Sequence, residues 1–214
     1  MSADAGDRSI PERVILASGS PQRREILGKL GVEFEVVVSG VDELSGGDPE
    51  FEVLENARMK ARAVASEEGE APAGEVYVLG TSPSSPTKRV VIACDTDVVL
   101  DGRALGKPQG EVEAREYLDR MSGRAHEVLS GLVVLDGDEE RRGLERTRVF
   151  FKELSEAEKE RYVRFGEWEG RSGGYAIQTL GSTLVERVEG SVSNVVGLPV
   201  GLLIELAPEL FERA

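Results

Sequence analysis

The run Val90 to Leu100, VVIACDTDVVL, is the strongest strand signal in the chain, and Asp101-Gly102 follows it at once. Asp-Gly after an apolar β run is a strong two-residue type I′ signal, so the chain must double back here as a hairpin. That turn sets Leu100 opposite Arg103, Val98 opposite Leu105 and Thr96 opposite Lys107, with Lys107 diagonal to Asp95. Asp95 and Asp97 interrupt the apolar run. A buried, unpartnered carboxylate is expensive, so Asp95 either ends the strand at the surface or has a partner or a task.

Around this strand, helical and strand-like segments alternate, the pattern of an α/β protein. Val14 to Ala17 reads as a buried strand, Ser18-Gly19-Ser20 as a tight turn, and Pro21 as the first residue of a helix that passes Ile26, Leu27 and Leu30 and stops at Gly31. Phe34 to Val38 alternates as a strand and leads to the acidic Val41-Asp42-Glu43; Asp48 and Pro49 then open a helix reaching about Ala65. The segment 67–89 is rich in turn formers and reads as an exposed loop insertion, and residues 1–12 as a tail without fixed structure. Glu111 to Ser122 is an amphipathic helix with Val112, Leu118 and Met121 inward and Gly123 as its stop. Strands at 127–135 and 147–153 flank the charged tip DGDEERRG, and Ser155 with Glu158 forms a capping box for a helix to about Phe165. A glycine-rich loop, a strand near Thr183 to Val188 and a helix from about Pro199 follow, so that residues 1–214 read as a single domain without internal repeats.

Composition narrows the function. The single cysteine, Cys94, rules out an intrachain disulfide and favours a cytoplasmic protein; the single histidine, His126, argues against a multi-histidine zinc site. The first residues, MSADAGDRSIPER, carry no apolar stretch of the secretory type, and no apolar run approaches a spanning length, so no membrane association is expected. A formal net charge of −14 with no basic stripe makes a nucleic acid duplex an unsuitable partner. There is no GxSxG elbow, no GxxxxGK[ST] P-loop and no GxGxxG turn.

Basic residues that converge on a cleft are therefore informative. Arg23 and Arg24 stand in the first turn of the first helix, where cations oppose the helix dipole, next to a small-residue loop whose backbone N–H groups suit an anion. The alternative is an ordinary turn with solvated arginines. Lys60 shares a helical face with Ala57, Ala61 and Val64 and points partly inward, although a lone lysine often only snorkels. Glu43 follows an exposed turn. Lysines, arginines, backbone donors and carboxylates able to hold a hard cation are the equipment of a polyphosphate site with Mg²⁺ or Mn²⁺.

The blocks LASGSPQRREIL, ARMKARAV, ACDTDVVLDGRALGKP, SGRAHEVLSGL, YAIQTLGSTLVERVEG and SNVVGLPV, running from Ile15 to Val200, resemble the Maf family of nucleoside triphosphate pyrophosphatases. The resemblance implies an elongated, curved mixed β-sheet flanked by helices, two lobes with a cleft between them, and a homodimer. It implies hydrolysis of a nucleoside triphosphate to the monophosphate and pyrophosphate with a divalent cation, on dTTP, UTP or modified nucleotides as a housecleaning activity. The family's association with septum formation offers a second reading, a regulator of cell division that binds nucleotide without turnover. Carried over, Asp95 is the proton acceptor; Glu43 and Asp95 contact the metal; Ser18, Arg23, Lys60 and Lys107 engage phosphates; Thr96 and Gln178 sense the base. Two positions depart from the pattern. Gln22 stands where the dTTP/UTP branch carries arginine and would face the variable part of the substrate, and Asp97 replaces an apolar residue.

Overall fold

The computed structural model describes Pro11, residues 13–66 and residues 89–212. The expected tail and insertion thus lie almost wholly outside the described residues, except that Arg89, read above as the end of the insertion, already belongs to a strand. The elements in chain order are β1 (Arg13–Leu16), α1 (Pro21–Lys29), β2 (Glu35–Val36), α2 (Pro49–Ser66), β3 (Arg89–Leu100), β4 (Arg103–Ala104), α3 (Glu111–Met121), β5 (Ala125–Asp136), β6 (Glu139–Phe151), α4 (Glu156–Phe165), β7 (Val185–Glu189), α5 (Val192–Val196) and α6 (Val200–Leu206). They build one seven-stranded mixed sheet in the order β2-β1-β3-β5-β6-β7, with β4 also on β3. β1 runs parallel to β2 and β3, and the remaining pairs are antiparallel.

The Asp-Gly hairpin forms as its chemistry requires. Asp101 and Gly102 both have positive φ, 54° and 74°, and Leu100 faces Arg103. The ladder is shorter than expected, however. It stops after Val99 opposite Ala104 and a Leu105 N–H to Val98 O bond of 2.9 Å, and the chain turns away at Gly106, whose carbonyl accepts from Gly173 N–H. Lys107 is therefore not opposite Thr96. On the same edge β1 pairs with residues 89–92, so between Ala93 and Val98 no strand among the described residues covers that edge of β3.

β3 has buried side chains on both faces. Val91 and Ala93 pack with Ala57, Ala61 and Val64 of α2, while Val90, Ile92 and Cys94 pack with Leu198 and Leu203 near α6. Alternation then sends Asp95 and Asp97 to the α2 face and Thr96 to the other. Helix α2 approaches closely because β5 carries Gly131 opposite Asp95: a Cβ there would meet Val53 O at 2.3 Å. This one missing side chain brings α2 down beside Asp95.

Local signals set the helix ends. Ser20 caps α1 by accepting from Arg23 N–H, Pro21 is its first residue, and Gly31 takes φ 76° beyond its end. Asp48 Oδ1 accepts from Glu50 N–H at 2.9 Å at the start of α2, and α4 has the full Ser155/Glu158 capping box. Other expectations need correction. In α3 the buried stripe is Ala114, Tyr117, Leu118 and Met121, and Val112 is 76% exposed. Two residues before Ala114, it sits roughly 200° around the helix from that stripe. The hairpin tip forms but is shorter than DGDEERRG: only Gly137 and Asp138 make the turn, Asp136 pairs with Glu139, and β6 runs from there to Phe151. β7 pairs only with its last residues, so the first part of β6 is a sheet edge, where charged side chains discourage pairing with other chains. β2 spans only Glu35–Val36 of the expected 34–38, and the late strand is Val185–Glu189.

Candidate functional site

The uncovered stretch of β3 opens into a cavity of about 780 Å³. Ser18, Gln22, Arg23, Glu43, Lys60, Asp95, Thr96, Lys107 and Gln178 all line it. The adjacent Arg24, half-buried, does not line it.

On the α2 face, Lys60 Nζ lies 2.7 Å from Asp95 Oδ1 and 2.5 Å from Glu43 Oε1. Lys60 and Asp95 are each 8% exposed. The inward lysine is thus an ion-pair partner and not a snorkelling one, and Asp95 is a buried, partnered carboxylate inside the strand instead of its surface end. Asn56, one helical turn before Lys60, donates to Asp95 Oδ2 at 3.0 Å. Asp97 on the same face accepts from Ser172 Oγ at 2.9 Å, and Val98 N–H donates to that same hydroxyl at 3.0 Å. Burial pushes the Asp97 carboxyl above its ordinary range; Ser172 opposes the shift, and the charges of Asp95, Glu43 and Glu52 add to it. Glu52 is itself 4% exposed and accepts from Gly47 N–H at 2.5 Å.

The opposite face carries the reverse charge. Arg23 is 9% exposed, and its guanidinium donates to Gly197 O at 2.8 Å, Ser18 Oγ at 3.0 Å and Thr96 Oγ1 at 3.1 Å. All three acceptors are neutral. Thr96 Oγ1 is also 2.8 Å from Ser130 Oγ, so its hydroxyl is committed to this cluster. The loop before α1 is partly wound on itself: Ser20 N–H donates to Ser18 Oγ and Ser18 N–H to Leu16 O. Among the described residues this leaves the Gly19 and Gln22 amides as unpaired donors facing the cavity. Gln22 Oε1 accepts from Ser20 Oγ at 3.1 Å.

Lys107 and Gln178 stand at the rim, both exposed. The Lys107 ammonium has no ion-pair partner among the described residues. Gln178 sits on a tightly folded segment: Thr179 has φ 39°, a Cβ at Gly181 would meet Ala176 O at 1.7 Å, and the Glu167 carboxylate accepts from Leu180 and Gly181 N–H at 3.2 and 2.8 Å. Beneath it, Tyr175 Oη is 2.8 Å from His126 Nε2. Burial lowers the His126 pKa to about 4, which keeps this ring neutral at neutral pH.

Asn56, Glu52 and Ser172 escape sequence reading. Asn56 alone left a trace, as a polar residue on the apolar face shared by Val53, Ala57 and Lys60; the others are joined to the site only through tertiary contacts. Among the described residues no helix is long and apolar enough to cross a membrane.

A family model described as Maf-like protein matches residues 13–210. The chain is 46% identical over 195 residues to a dTTP/UTP pyrophosphatase of Deinococcus radiodurans, covering 91% of each chain. It is 40% identical over 194 residues to a protein of the same name from Pyrococcus abyssi, covering 90% of this chain and 94% of that one. A Bacillus cereus protein of that name is 38% identical over 195 residues, covering 90% of this chain and 87% of its own.

Proposed function

Because the chain belongs to the Maf-like protein family, we propose that it hydrolyses a nucleoside triphosphate, dTTP, UTP or a modified relative, to the monophosphate and pyrophosphate. The observation that carries this reading is the pairing of opposite charge excesses across β3. Among the described residues, Glu43 and Asp95 share the ammonium of Lys60 on one side, with Glu52 and Asp97 close enough to act on the same patch, and the Arg23 guanidinium meets neutral acceptors on the other. Neither face is balanced without a ligand. A cation on the first and a phosphate anion on the second would complete both.

In this reading Asp95 takes the proton from the water that attacks the α-phosphorus. Arg23, Ser18, Lys60 and Lys107 bind phosphate oxygens, and the lysines and arginine offset the charge of the departing pyrophosphate. Gln178 and Gln22 face the base, the latter with a neutral amide where an arginine would offer a charged fork. Asp95 and Glu43 fit a Mg²⁺ or Mn²⁺ ion, since their oxygens already converge on one cation, Lys60 Nζ. Two carboxylates would leave the other coordination positions of such an ion to water and substrate phosphates. Bound there, the ion would neutralise charge building on the phosphates.

The test is pyrophosphate release across natural and modified triphosphates with Mg²⁺ or Mn²⁺, alongside Asp95→Asn. Monophosphate and pyrophosphate as products, dTTP and UTP among the best substrates, and turnover lost by about 1000-fold in the variant are expected. Orthophosphate as the first product would contradict the reading.

A further inference from the structure

The Asn56 carboxamide joins two groups that the reaction needs. Its Nδ2 donates to Asp95 Oδ2 at 3.0 Å and to Leu44 O at 3.1 Å, and its Oδ1 accepts from Leu44 N–H at 2.7 Å. A backbone N–H can only donate and a carbonyl only accept, so these partners fix which way the amide points. At 2% exposure Asn56 has no solvent to substitute for any of these bonds. Leu44 directly follows Glu43. One helical turn along α2, Lys60 holds Asp95 Oδ1 and Glu43 Oε1. Both oxygens of Asp95 are thus held from one face of α2, and each holder also grips the loop that carries Glu43.

We propose that Asn56 is a positioning residue for the reaction, fixing the plane of the Asp95 carboxylate and the placement of the Glu43 loop so that the two carboxylates act as a unit. The proposal rests on Asp95 being the base. Lys60 alone could not do this, because an ammonium on a flexible stem holds one oxygen and leaves the carboxylate free to rotate about it. A planar donor on the second oxygen removes that rotation. A purely structural Asn56 would serve only the Leu44 backbone.

Two variants separate these roles. Asn56→Asp keeps an acceptor for Leu44 N–H but replaces the amide donor to Asp95 with a second carboxyl group that competes with it for a proton; Asn56→Leu removes both contacts. The expected result is a fall in kcat of about 10- to 100-fold in each, the range typical of groups that orient a reacting ligand, with KM for dTTP changed by less than about threefold. Independently of activity, the Leu44 amide should exchange hydrogen faster in Asn56→Leu, while those of Val91 and Val133 keep their protection. If Asn56→Leu does not fold, Asn56→Asp decides. A kcat within about threefold of the parent in a folded variant overturns the proposal, whatever happens to melting temperature. Asp95→Asn is measured in parallel. If it is inactive, the base assignment stands and the Asn56 variants decide the proposal; if it turns over normally, the base assignment and the proposal both fall.

Discussion

Asp95 and Thr96 are neighbours in one strand, yet they face surroundings of opposite character. Among the described residues, two carboxylates share the ammonium of Lys60 toward α2, whereas toward α1 and α5 a buried guanidinium meets two hydroxyls and a carbonyl and no carboxylate. Folding stability alone does not call for either arrangement, because a buried charge without a counter-charge is a cost. The titratable groups nearby show how burial acts when it is free to do so. Asp97 and His126 are both pushed toward their neutral forms. Arg23, by contrast, is held by neutral groups alone among the described residues and lines the cavity. The charges of this site are therefore arranged for something that enters it.

Replacing Arg23 should remove the charge asymmetry between the two faces. Arg23→Ala is expected to lower kcat/KM about 100-fold for every triphosphate alike, because it removes charge from a group common to all of them. Arg23→Lys should recover little, since an ammonium cannot reach Gly197, Ser18 and Thr96 together. Steady-state kinetics over the nucleotide panel checks this. A loss confined to one base would move Arg23 from phosphate to base recognition.

His126 gives an effect of similar size, in stability. Its pKa is about 4 in the fold against an ordinary 6.5, so the folded state resists protonation that the unfolded chain accepts. The resulting stabilisation is complete above about pH 6.5 and is lost as pH falls toward 4, by about 3 kcal/mol in total. In His126→Gln the decline in stability from pH 7 to pH 4, read by urea unfolding, should be shallower by about that amount. Equal slopes in the two proteins would mean that the ring is not held neutral.

Asp97 should give the smallest effect and the opposite sign. Its pKa is raised, so its contribution to stability is greatest below the ordinary carboxylate range and is lost as pH rises through the raised value. Asp97→Asn keeps an acceptor for Ser172 and should raise Tm by a few degrees at pH 7, with the gain vanishing near pH 4. A lower Tm at pH 7 would show that the Asp97 charge is compensated by a group other than Ser172.

The contrast between the two faces also explains what could be read from the chain. The strand, the Asp-Gly turn, the start of α1 at Pro21 and the Ser155/Glu158 box are local chemistry, and each appears where its residues predict. Lys60 was legible because helical periodicity places it with Ala57, Ala61 and Val64. The partition of Asp95 and Thr96 between opposite faces follows from alternation, but its consequence depends on α2 and α1 arriving from different sides. The expected Thr96–Lys107 pairing failed because Gly106 is drawn toward Gly173, a contact between residues far apart in sequence. Likewise the first part of β6 looked like a loop because an uncovered edge selects the same charged residues that a loop does. Asn56 shows in the sequence only as a polar residue on the Val53, Ala57 and Lys60 face, Glu52 and Ser172 follow no spacing rule, and the packing of α2 and the glycine-rich segment on β3 brings all three to the site.

If water activated at Asp95 on the acidic face attacks the α-phosphorus while the basic face holds the departing phosphates, as proposed, the products of hydrolysis in ¹⁸O-water carry the signature. Hydrolysis of dTTP in ¹⁸O-water, with both products analysed by mass spectrometry, should give one ¹⁸O atom in the monophosphate and none in the pyrophosphate. Label in the pyrophosphate would instead place the attack on the β-phosphorus and rule this mechanism out.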